Sequence, residues 1–546
     1  MIPMFSCNAI NIMDSVKGQN CVTAFNIIPM ENYDVTDLRL QNNGGAQNSK
    51  KNPNDLNEED KAVDRHFFTE VRNQDEDLHL TWTELYPQVL ASFVAFLIVL
   101  QPGINLAYSN VLLHHFPYIS RIQFSWITSV MPLCTPLGAI FIGPLMDRIG
   151  RKNACFWTCL PLLASWLFAV ATTNDNIALF YISRIFAGIG SGMTTVAIVY
   201  VSEIAHPTYK QILLSLNSVF FSAGILLSTL LINFLDWKAI TITFVSLTVA
   251  SMALIVICMP ESPVWIFKFK GPEYEIEGKR AIKQIYPHNI RLFNTERNVL
   301  NENGNNYAND KSKQTFFQTL RTSQAAYKPV IILVVLLTLQ QCSGAYMTIS
   351  YALPVFQSIV PGGSANELET LALLGVIRFV GGIATSLLSF YFGRRPLMVV
   401  SCLGMALSSA TVTLTVGSQQ TPIGSDQIGL TGLSVPLVGV MVFVLSSSIG
   451  VLVFPWTLIS ELLPTSIRAV GGGLLVSYGY LSMFTTLRMF PHLLASLGAA
   501  NTFAVFGLVS LTMAAYVYLL LPESLGKSFQ QMEEYFLRGK LLYSAR

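Results

Sequence analysis

Acidic and basic side chains recur with the same spacing at the ends of two apolar segments. Glu203 in "VSEIAHPTYK" is followed seven residues later by Lys210, and Glu461 in "ISELLPTSIR" is followed seven residues later by Arg468. The two glutamates are 258 positions apart (461 − 203). Such charges can form ion pairs, and an exposed ion pair is worth at most about 1 kcal/mol. Weak pairs suit contacts that form and break repeatedly.

Two further charged motifs recur in the same order. Arg151 in "DRIGRK" corresponds to Arg394 in "YFGRRP", an offset of 243 (394 − 151). Glu261 in "PESPVW" corresponds to Glu523 in "PESLGK", an offset of 262 (523 − 261). Any one of these motifs could recur by chance at helix ends. Three motifs in matching order indicate one duplicated unit whose loops have different lengths.

Long apolar segments must position these charges. The chain is 52% hydrophobic and only 12% charged, whereas a soluble domain has about 25% charged residues. Twelve apolar runs, six on each side of a polar basic interval, each have roughly the 20 residues that cross a bilayer as a helix. We predict an all-α membrane protein with twelve transmembrane helices in two six-helix bundles. The expected parts are a disordered cytoplasmic tail (1–84), an N-terminal bundle (85–259), a cytoplasmic linker with short helices (260–328), a C-terminal bundle (329–521) and a cytoplasmic C-terminal tail (522–546).

Charge distribution also predicts the orientation and excludes several functions. Most basic residues outside the apolar runs lie in the linker or in loops on its side, which predicts that this side and both termini are cytoplasmic. We expect a multi-pass protein of the plasma membrane, monomeric by default. A net charge of +2 is too small to indicate a nucleic-acid partner. The sequence contains no nucleophile–base set, no Cys/His metal spacing and no GxxxxGK[ST] loop, so we predict no enzymatic activity, no cofactor, no metal and no ATP-driven pumping.

We interpret the charges at the cytoplasmic helix ends as a charge latch. In this hypothesis, acids of one bundle meet bases of the other bundle when the cytoplasmic side is closed, and they separate when it opens. The alternative is that the basic residues only anchor the topology. The predicted members of the charge latch are Asp147, Arg148, Arg151, Arg184, Glu203, Lys210, Glu261, Arg394, Arg395, Glu461, Arg468 and Glu523.

These motifs resemble the signature set of the sugar porter family of the major facilitator superfamily. The resemblance covers roughly residues 85–537. Within the family, the sequence is most similar to the insect trehalose-transporter-like branch. It implies a fold of twelve helices in two bundles and a small-molecule solute of the sugar class. The segments that carry the resemblance are "GPLMDRIGRK", "RIFAGIGSG", "YVSEIAHPTYK", "PESPVW", "QQCSGAYMTISYA", "GVIRFVGG", "FPWTLISELLP" and "PESLGKS".

The resemblance implies a substrate site built from amides and aromatic rings. Sugars are uncharged and carry many hydroxyls, so their sites need side chains that both donate and accept hydrogen bonds. By resemblance, Gln340 and Gln341 contact the sugar on helix 7, Trp456 is the aromatic residue of helix 10, and Tyr351 is a gating tyrosine. Burying two adjacent glutamines is costly without partners, which favours a wet cavity there. Hydrogen bonding to neighbouring helices is the alternative.

Several candidate substrate-binding positions depart from the family pattern. Tyr346 stands in place of an Asn on helix 7, Ser218 in place of a Gln on helix 5, and Arg378 in place of an Asn on helix 8. A charge at the centre of a span costs about 2.5–3.5 kcal/mol on insertion scales. Arg378 therefore either binds substrate, favouring an anionic or multiply hydroxylated one, or caps backbone carbonyls between helices. These departures argue against a standard hexose site.

Helix 1 bears on energy coupling. Asn105, also a candidate substrate contact, stands where proton symporters of the family have Asp, and Asn does not titrate. We therefore predict facilitative, proton-independent transport of a sugar or sugar-like solute by alternating access. Two alternatives remain open: a carrier of a polyol or anionic solute, and a nutrient sensor or receptor built on a transporter scaffold.

Overall fold

The structure is a computed structural model in which the regular structure of the described residues is entirely helical. The predicted N-terminal tail and most of the linker lie outside the described residues, so their predicted disorder stays a prediction. The first helix begins at Trp82, three residues before the predicted start of the bundle. The described residues are 82–116, 119–173, 176–270, 274–286, 323–359, 367–418, 434–464, 467–525, 527 and 529–537.

The apolar runs of the N-terminal half form six helices. The start of the second helix illustrates the local chemistry: the Ser120 hydroxyl accepts from the Gln123 backbone N–H at 3.3 Å, and the Gln123 side chain accepts from the Ser120 backbone N–H at 3.2 Å. This capping box satisfies backbone donors that a helix start leaves open. The six helices are α1 (Trp82–His115), α2 (Arg121–Ile149), α3 (Arg151–Val170), α4 (Ala178–Met193, continued by Thr195–Ile204), α5 (Pro207–Leu231) and α6 (Trp237–Cys258).

The C-terminal half contains six further spans. The continuous helix Arg468–Leu520 has 53 residues, which would be about 80 Å long, against a hydrocarbon core of about 30 Å. It is kinked at Gly498, whose φ is +73°, and therefore forms two spans. With the other candidate spans it completes the twelve that were predicted. The helices are α7 (Gln324–Cys342, continued by Ala345–Ser350 and Ala352–Ile359), α8 (Glu367–Tyr391), α9 (Arg394–Ser418), α10 (Val435–Ile449, continued by Phe454–Leu462), and α11 and α12 (Arg468–Leu520, before and after Gly498).

Short helices follow α6 and α12. They are Pro263–Trp265, the π-helix Ile266–Lys270 and Glu275–Ile285 in the linker, and Phe529–Leu537 near the C-terminus. We call the end of the bundles that meets these segments the linker end, and the opposite end the far end.

Glycine allows close packing inside the N-terminal bundle. A Cβ added to Gly103 would overlap the Phe221 carbonyl, and one added to Gly224 would overlap the Leu100 carbonyl. The backbones of α1 and α5 therefore touch, which is how small residues bring helices together in membranes.

Two helices of the C-terminal bundle are interrupted in mid-span. α7 breaks after Cys342, where Gly344 adopts φ +87°, and α10 breaks between Ile449 and Phe454. A broken helix leaves backbone carbonyls without intrahelical partners, which is tolerated in a membrane only inside protein or beside a cavity. Such breaks are also where transporters build solute sites.

Candidate functional site

The two predicted glutamines lie at the break in α7. Gln340 and Gln341 are both fully buried. Gln340 Nε2 donates to the Val451 carbonyl in the break of α10 at 2.7 Å, and Gln341 Nε2 lies 3.4 Å from Gln340 Oε1. The Ser343 hydroxyl donates to the Gln340 carbonyl at 2.7 Å and stabilises the turn. Gln341 Oε1 is buried without a hydrogen-bond partner, so one acceptor remains for a solute hydroxyl.

An aromatic group adjoins this break. Trp456 Nε1 donates to the Tyr346 hydroxyl at 2.9 Å, and that hydroxyl lies 3.4 Å from the Leu452 carbonyl. The Trp456 ring lies 5.1 Å from the Tyr480 ring, and a Cβ at Gly479 would lie 2.9 Å from the indole. Tyr346 thus fixes the indole orientation, and the lack of a side chain at Gly479 allows α11 to pack directly against the ring.

Arg378 lies in the middle of α8 and faces the interface with α5. Its side chain is 2% exposed, and Nε and Nη1 have no hydrogen-bond partner. One turn of α8 further on, a Cβ on Gly381 would lie 2.6 Å from the Ser448 side chain of α10. A Cβ placed on Gly382 would lie 3.7 Å from Arg378 Nη1 and 2.7 Å from the Ser222 hydroxyl. Ser218 is one turn away on α5, where its carbonyl accepts from the Ser222 hydroxyl at 2.8 Å.

Tyr351 lies at the far end, between the two bundles. Its hydroxyl donates to the Leu487 carbonyl at 2.9 Å. Its ring lies 5.4 Å from Phe124 of α2 and 5.1 Å from Phe490 of α11. The gating role of Tyr351 stays a prediction.

The far end is closed by contacts that the sequence analysis missed. Asn110 Nδ2 of α1 donates to the Ile349 carbonyl of α7 at 3.0 Å, and Arg488 Nη1 of α11 lies 2.8 Å from the Ser125 hydroxyl of α2. The Arg488 guanidinium also stacks on Trp126 at 4.5 Å. The sequence signal for this contact was Arg488 itself, a basic residue late in an apolar run with no acid nearby in the sequence.

Charged residues of the N-terminal bundle form a cluster at the linker end. Arg151 Nη2 pairs with Glu203 at 2.9 Å and Nη1 pairs with Asp147 at 3.1 Å. Nη1 also donates to the Met146 carbonyl, and the Ser262 hydroxyl bonds to the second oxygen of Glu203. The cluster joins α2, α3, α4 and the start of the linker.

Glu261 caps the beginning of α3. Its Oε1 accepts from the backbone N–H groups of Arg151, Lys152 and Ser262 at 2.8, 3.0 and 2.9 Å. Burial raises the pKa of the Glu261 carboxyl above its usual value, and these backbone donors act against that rise. A Cβ on Gly150, where φ is +96°, would overlap the carboxylate. A carboxylate at a helix N-terminus also interacts favourably with the helix dipole.

The C-terminal bundle repeats this arrangement with fewer acids. Arg394 Nη2 pairs with Glu461 at 3.3 Å, Nη1 donates to the Ser389 carbonyl at 2.8 Å, and the Ser524 hydroxyl bonds to Glu461 at 2.6 Å. When the Gln211 amide oxygen faces the guanidinium, it accepts from Arg394 Nη1 and Nη2 at 3.0 and 2.6 Å. Gln211 belongs to α5, so this contact joins the two bundles.

Glu523 caps α9 as Glu261 caps α3. Its carboxylate accepts from the backbone N–H groups of Arg394 and Arg395 at 2.9 and 3.1 Å, and a Cβ on Gly393 would overlap it. The Arg395 guanidinium lies over the Tyr518 ring at 5.2 Å. The repeated sequence motifs therefore make equivalent contacts in both bundles.

The structure corrects the partners expected for the charge latch. Among the described residues, each ion pair at the linker end joins groups of the same half of the chain, and none joins one bundle to the other. Arg148 and Lys210 form no ion pair with a described residue, and the side chain of Arg468 lies outside the described part. The predicted opening and closing of the latch stays untested.

Arg184 is not part of the charge cluster at the linker end. It lies 20 residues before the end of α4 at Ile204, which is about 30 Å along the helix. Its Nη1 donates to the Asn105 carbonyl and to Asn105 Oδ1 at 3.1 and 3.2 Å. Its guanidinium also lies over the rings of Tyr108 and Phe180. Grouping Arg184 with the latch was wrong because its motif begins near the far end of α4.

Metal ligation finds no support among the described residues, where no group of three or more His, Cys, Asp or Glu could hold an ion.

Comparison with sequences of known proteins gives a consistent result. The family model described as "Sugar (and other) transporter" matches residues 54–536. The facilitated trehalose transporter Tret1 of Bombyx mori is 25% identical over 474 residues, which cover 85% of this chain and 90% of that protein. Tret1 of Culex quinquefasciatus is 26% identical over 410 residues, covering 75% of this chain and 76% of that protein.

Solved structures share the fold. The major facilitator superfamily proton:xylose symporter XylE, bound to 6-bromo-6-deoxy-D-glucose, matches with a TM-score of 0.65 and 18% identity, over 82% of this chain and 99% of that chain. The inward open conformation of XylE from E. coli matches with a TM-score of 0.64 and 17% identity, over 83% of this chain and 99% of that chain. With the family match across most of its length, the chain is a multi-pass membrane transporter rather than an enzyme, and it belongs to the sugar transporter family with the major facilitator superfamily fold.

Proposed function

We propose that this protein transports a sugar or sugar-like solute across the plasma membrane by facilitative, proton-independent alternating access. The observation that carries the mechanism is the contact between Arg184 and Asn105, at 3.1 and 3.2 Å. A carboxylate at position 105 could exchange a proton during transport, whereas an amide cannot. In the described spans, every Asp and Glu lies within three residues of a helix end, so no mid-span carboxylate replaces it.

The named relatives support the facilitative mechanism and the sugar class. Those relatives are called facilitated trehalose transporters, which makes a disaccharide a first solute to test. XylE is a proton:xylose symporter, but its identity to this chain is low and its likeness concerns the fold alone.

The solute site is proposed to lie at the two helix breaks. Gln341 offers an unsatisfied acceptor, Trp456 offers a partly exposed indole face, and Tyr346 holds that indole in place. An amide acceptor beside an aromatic face matches the hydroxyls and C–H surface of a sugar. Ser218 and Arg378 would approach the solute from the side of α5 and α8, while Tyr351 would act at the far end.

The charge clusters are proposed to hold the linker end of each bundle together while the bundles rock. Arg151 joins α3 to α2 and α4, and Arg394 joins α9 to α10. The hydrogen bonds between Gln211 and Arg394 join the two bundles, and they would break when the bundles separate at this end. We place the linker end and both termini in the cytoplasm because the linker carries most of the basic residues.

The test is solute flux into liposomes that contain only the purified protein. We measure the uptake of labelled trehalose, glucose and xylose. For each sugar that is transported, the uptake rate should be the same with and without an inward proton gradient. Faster uptake under the gradient would contradict the facilitative mechanism, and the absence of flux for every sugar would favour the sensor hypothesis. Gln341→Leu should lower the flux at least tenfold. Gln357→Leu, which changes an exposed glutamine of the same helix, should leave the flux unchanged.

A further inference from the structure

Arg378 is a charge in the middle of the membrane without a counter-charge. Its side chain is 2% exposed, and the guanidinium makes no hydrogen bond or ion pair with any described residue. The polar groups placed beside it are neutral: the Ser222 hydroxyl and the backbone of Gly382. A buried cation without a partner is far less favourable than a paired one. An anionic group that bound beside Arg378 would therefore gain a favourable interaction that the empty protein lacks.

Another buried arginine within the described spans, Arg184, has partners for Nη1, although its Nε and Nη2 have none. Arg184 donates two hydrogen bonds to Asn105 and lies over the rings of Tyr108 and Phe180, at 5.2 and 4.7 Å. Those contacts give Arg184 a structural role inside the N-terminal bundle. Arg378 has no such contacts, so structural support does not account for its charge. The capping role that the sequence left open for Arg378 also lacks support, because no carbonyl accepts from its Nε or Nη1.

Arg378 adjoins the proposed solute site. α8 packs against α10 just before its break, where a Cβ on Gly381 would lie 2.6 Å from the Ser448 side chain, and beyond that break Trp456 donates to the Tyr346 hydroxyl. A solute placed against the indole and the amide of Gln341 would therefore lie close to the guanidinium. A guanidinium presents several N–H donors in one plane, which matches the two oxygens of a carboxylate. A neutral sugar would leave the charge unpaired.

We propose that the transported solute is a polyhydroxylated carboxylate, of the chemical class of uronic and aldonic acids, and that Arg378 supplies its counter-charge. The hydroxyls of such a solute would use the amide and aromatic groups, and its carboxylate would use the guanidinium. A single unpaired guanidinium favours a monoanion over a phosphate dianion. This inference rests on the proposed transport function and names the solute class of the same site.

The membrane potential gives a direct test on the unmodified protein. D-glucuronate and D-glucose have the same ring and differ at C6, where one has a carboxylate and the other a hydroxymethyl group. In proteoliposomes with a potassium diffusion potential, an inside-positive voltage should raise the equilibrium accumulation of glucuronate about tenfold for each 59 mV. Glucose accumulation should not respond. Glucuronate should also compete with labelled glucose better than its neutral methyl ester or glucose 6-phosphate.

Variants assign the effect to the arginine. Arg378→Gln should lower the ratio of glucuronate to glucose flux at least tenfold, and Arg378→Lys should lower it less because the charge remains. Arg121→Gln, an exposed arginine at the far end, should leave the ratio unchanged. If Arg378→Gln does not reach the membrane, the competition between glucuronate and its methyl ester in the unmodified protein still decides.

The outcomes separate this inference from the proposed function. Flux of neutral sugars with neither flux nor competition by glucuronate would overturn the anionic solute and leave the sugar transporter intact. Voltage-dependent glucuronate flux that persists in Arg378→Gln would overturn the role of the arginine. Absence of flux for neutral and anionic solutes alike would overturn both proposals.

Discussion

The charge clusters allow one stability prediction to be worked through, because the chain contains the same cluster twice. Glu203→Gln keeps the shape of the side chain and removes its charge. Arg151 would lose contacts of 2.9 and 3.1 Å to a carboxylate, in a pair whose side chains are 6% and 15% exposed. Breaking a buried ion pair by removing one partner costs about 3–5 kcal/mol. Because Arg151 retains its pair with Asp147 and the Met146 carbonyl, we expect Glu203→Gln to lower the free energy of unfolding by about 3 kcal/mol, the lower end of that range.

The matched substitution is Glu461→Gln. Its pair with Arg394 has one contact, at 3.3 Å, and the Glu461 side chain is 27% exposed. Arg394 would retain the Ser389 carbonyl and Gln211. A hydrogen bond to a charged group contributes about 1.5–3 kcal/mol when well formed, and the longer distance and partial exposure reduce this to about 1–2 kcal/mol. The two substitutions should therefore differ by about 1–2 kcal/mol, or roughly 5- to 30-fold in the unfolding equilibrium.

Equilibrium unfolding of the purified protein in detergent, followed by tryptophan fluorescence, measures this difference. Asp236→Asn is the control, because it makes the same chemical change at an exposed residue whose side chain forms no cap hydrogen bond. We expect it to change the free energy by less than about 1 kcal/mol. Equal losses for Glu203→Gln and Glu461→Gln, or a larger loss at Glu461, would refute the assignment of stronger pairing to the N-terminal bundle.

Two further predictions concern the gate and the helix break. Arg488→Gln removes the contact between α11 and α2 at the far end, so a cysteine introduced at Thr128 should react with maleimide several-fold faster from that side. Lys238→Gln, which changes a basic residue that stacks within its own bundle, should not alter the rate. Gly344→Ala should abolish transport, because Gly344 has φ +87°, which an alanine rarely adopts, and the added Cβ would overlap the Phe506 ring. The added Cβ of Gly498→Ala meets no atom within 4 Å, so this variant adds only backbone strain of about 1–2 kcal/mol. Comparable flux in the two glycine variants would contradict this reasoning.

The fold was predictable because membrane helices depend on local composition. Each apolar run became a span, since a backbone in lipid must satisfy its hydrogen bonds within its own helix. The repeated motifs were equally informative: Arg151 and Arg394 adopt equivalent positions, as do Glu261 and Glu523. The serine that follows each of those two glutamates is visible in both motifs, and its hydroxyl completes the cluster.

The partners of charged residues were less predictable. Sequence spacing shows which charges share an end of the membrane, but not which helices approach each other there. Pairing between bundles was therefore expected where the structure shows pairing within each bundle. The contact of Gln211 with Arg394 could not be anticipated, since it depends on the approach of α5 to α9. The C-terminal cluster has Phe390 where the N-terminal one has Asp147, and this missing acid leaves donors of Arg394 available to the other bundle.

The distribution of charge also separates structure from function in this molecule. At the linker end, Arg151 and Arg394 are each paired with acids of their own bundle. These ion pairs stabilise each bundle and need not change when a solute binds. Inside the N-terminal bundle, Arg184 is held by neutral groups of its own bundle, and its contacts can likewise persist. Arg378 differs from all three, because its guanidinium has no partner among the described residues. A group that gains a partner on binding contributes differential free energy between the empty and loaded carrier. For that reason, solute selectivity should depend on Arg378 more than on an arginine whose partners stay the same.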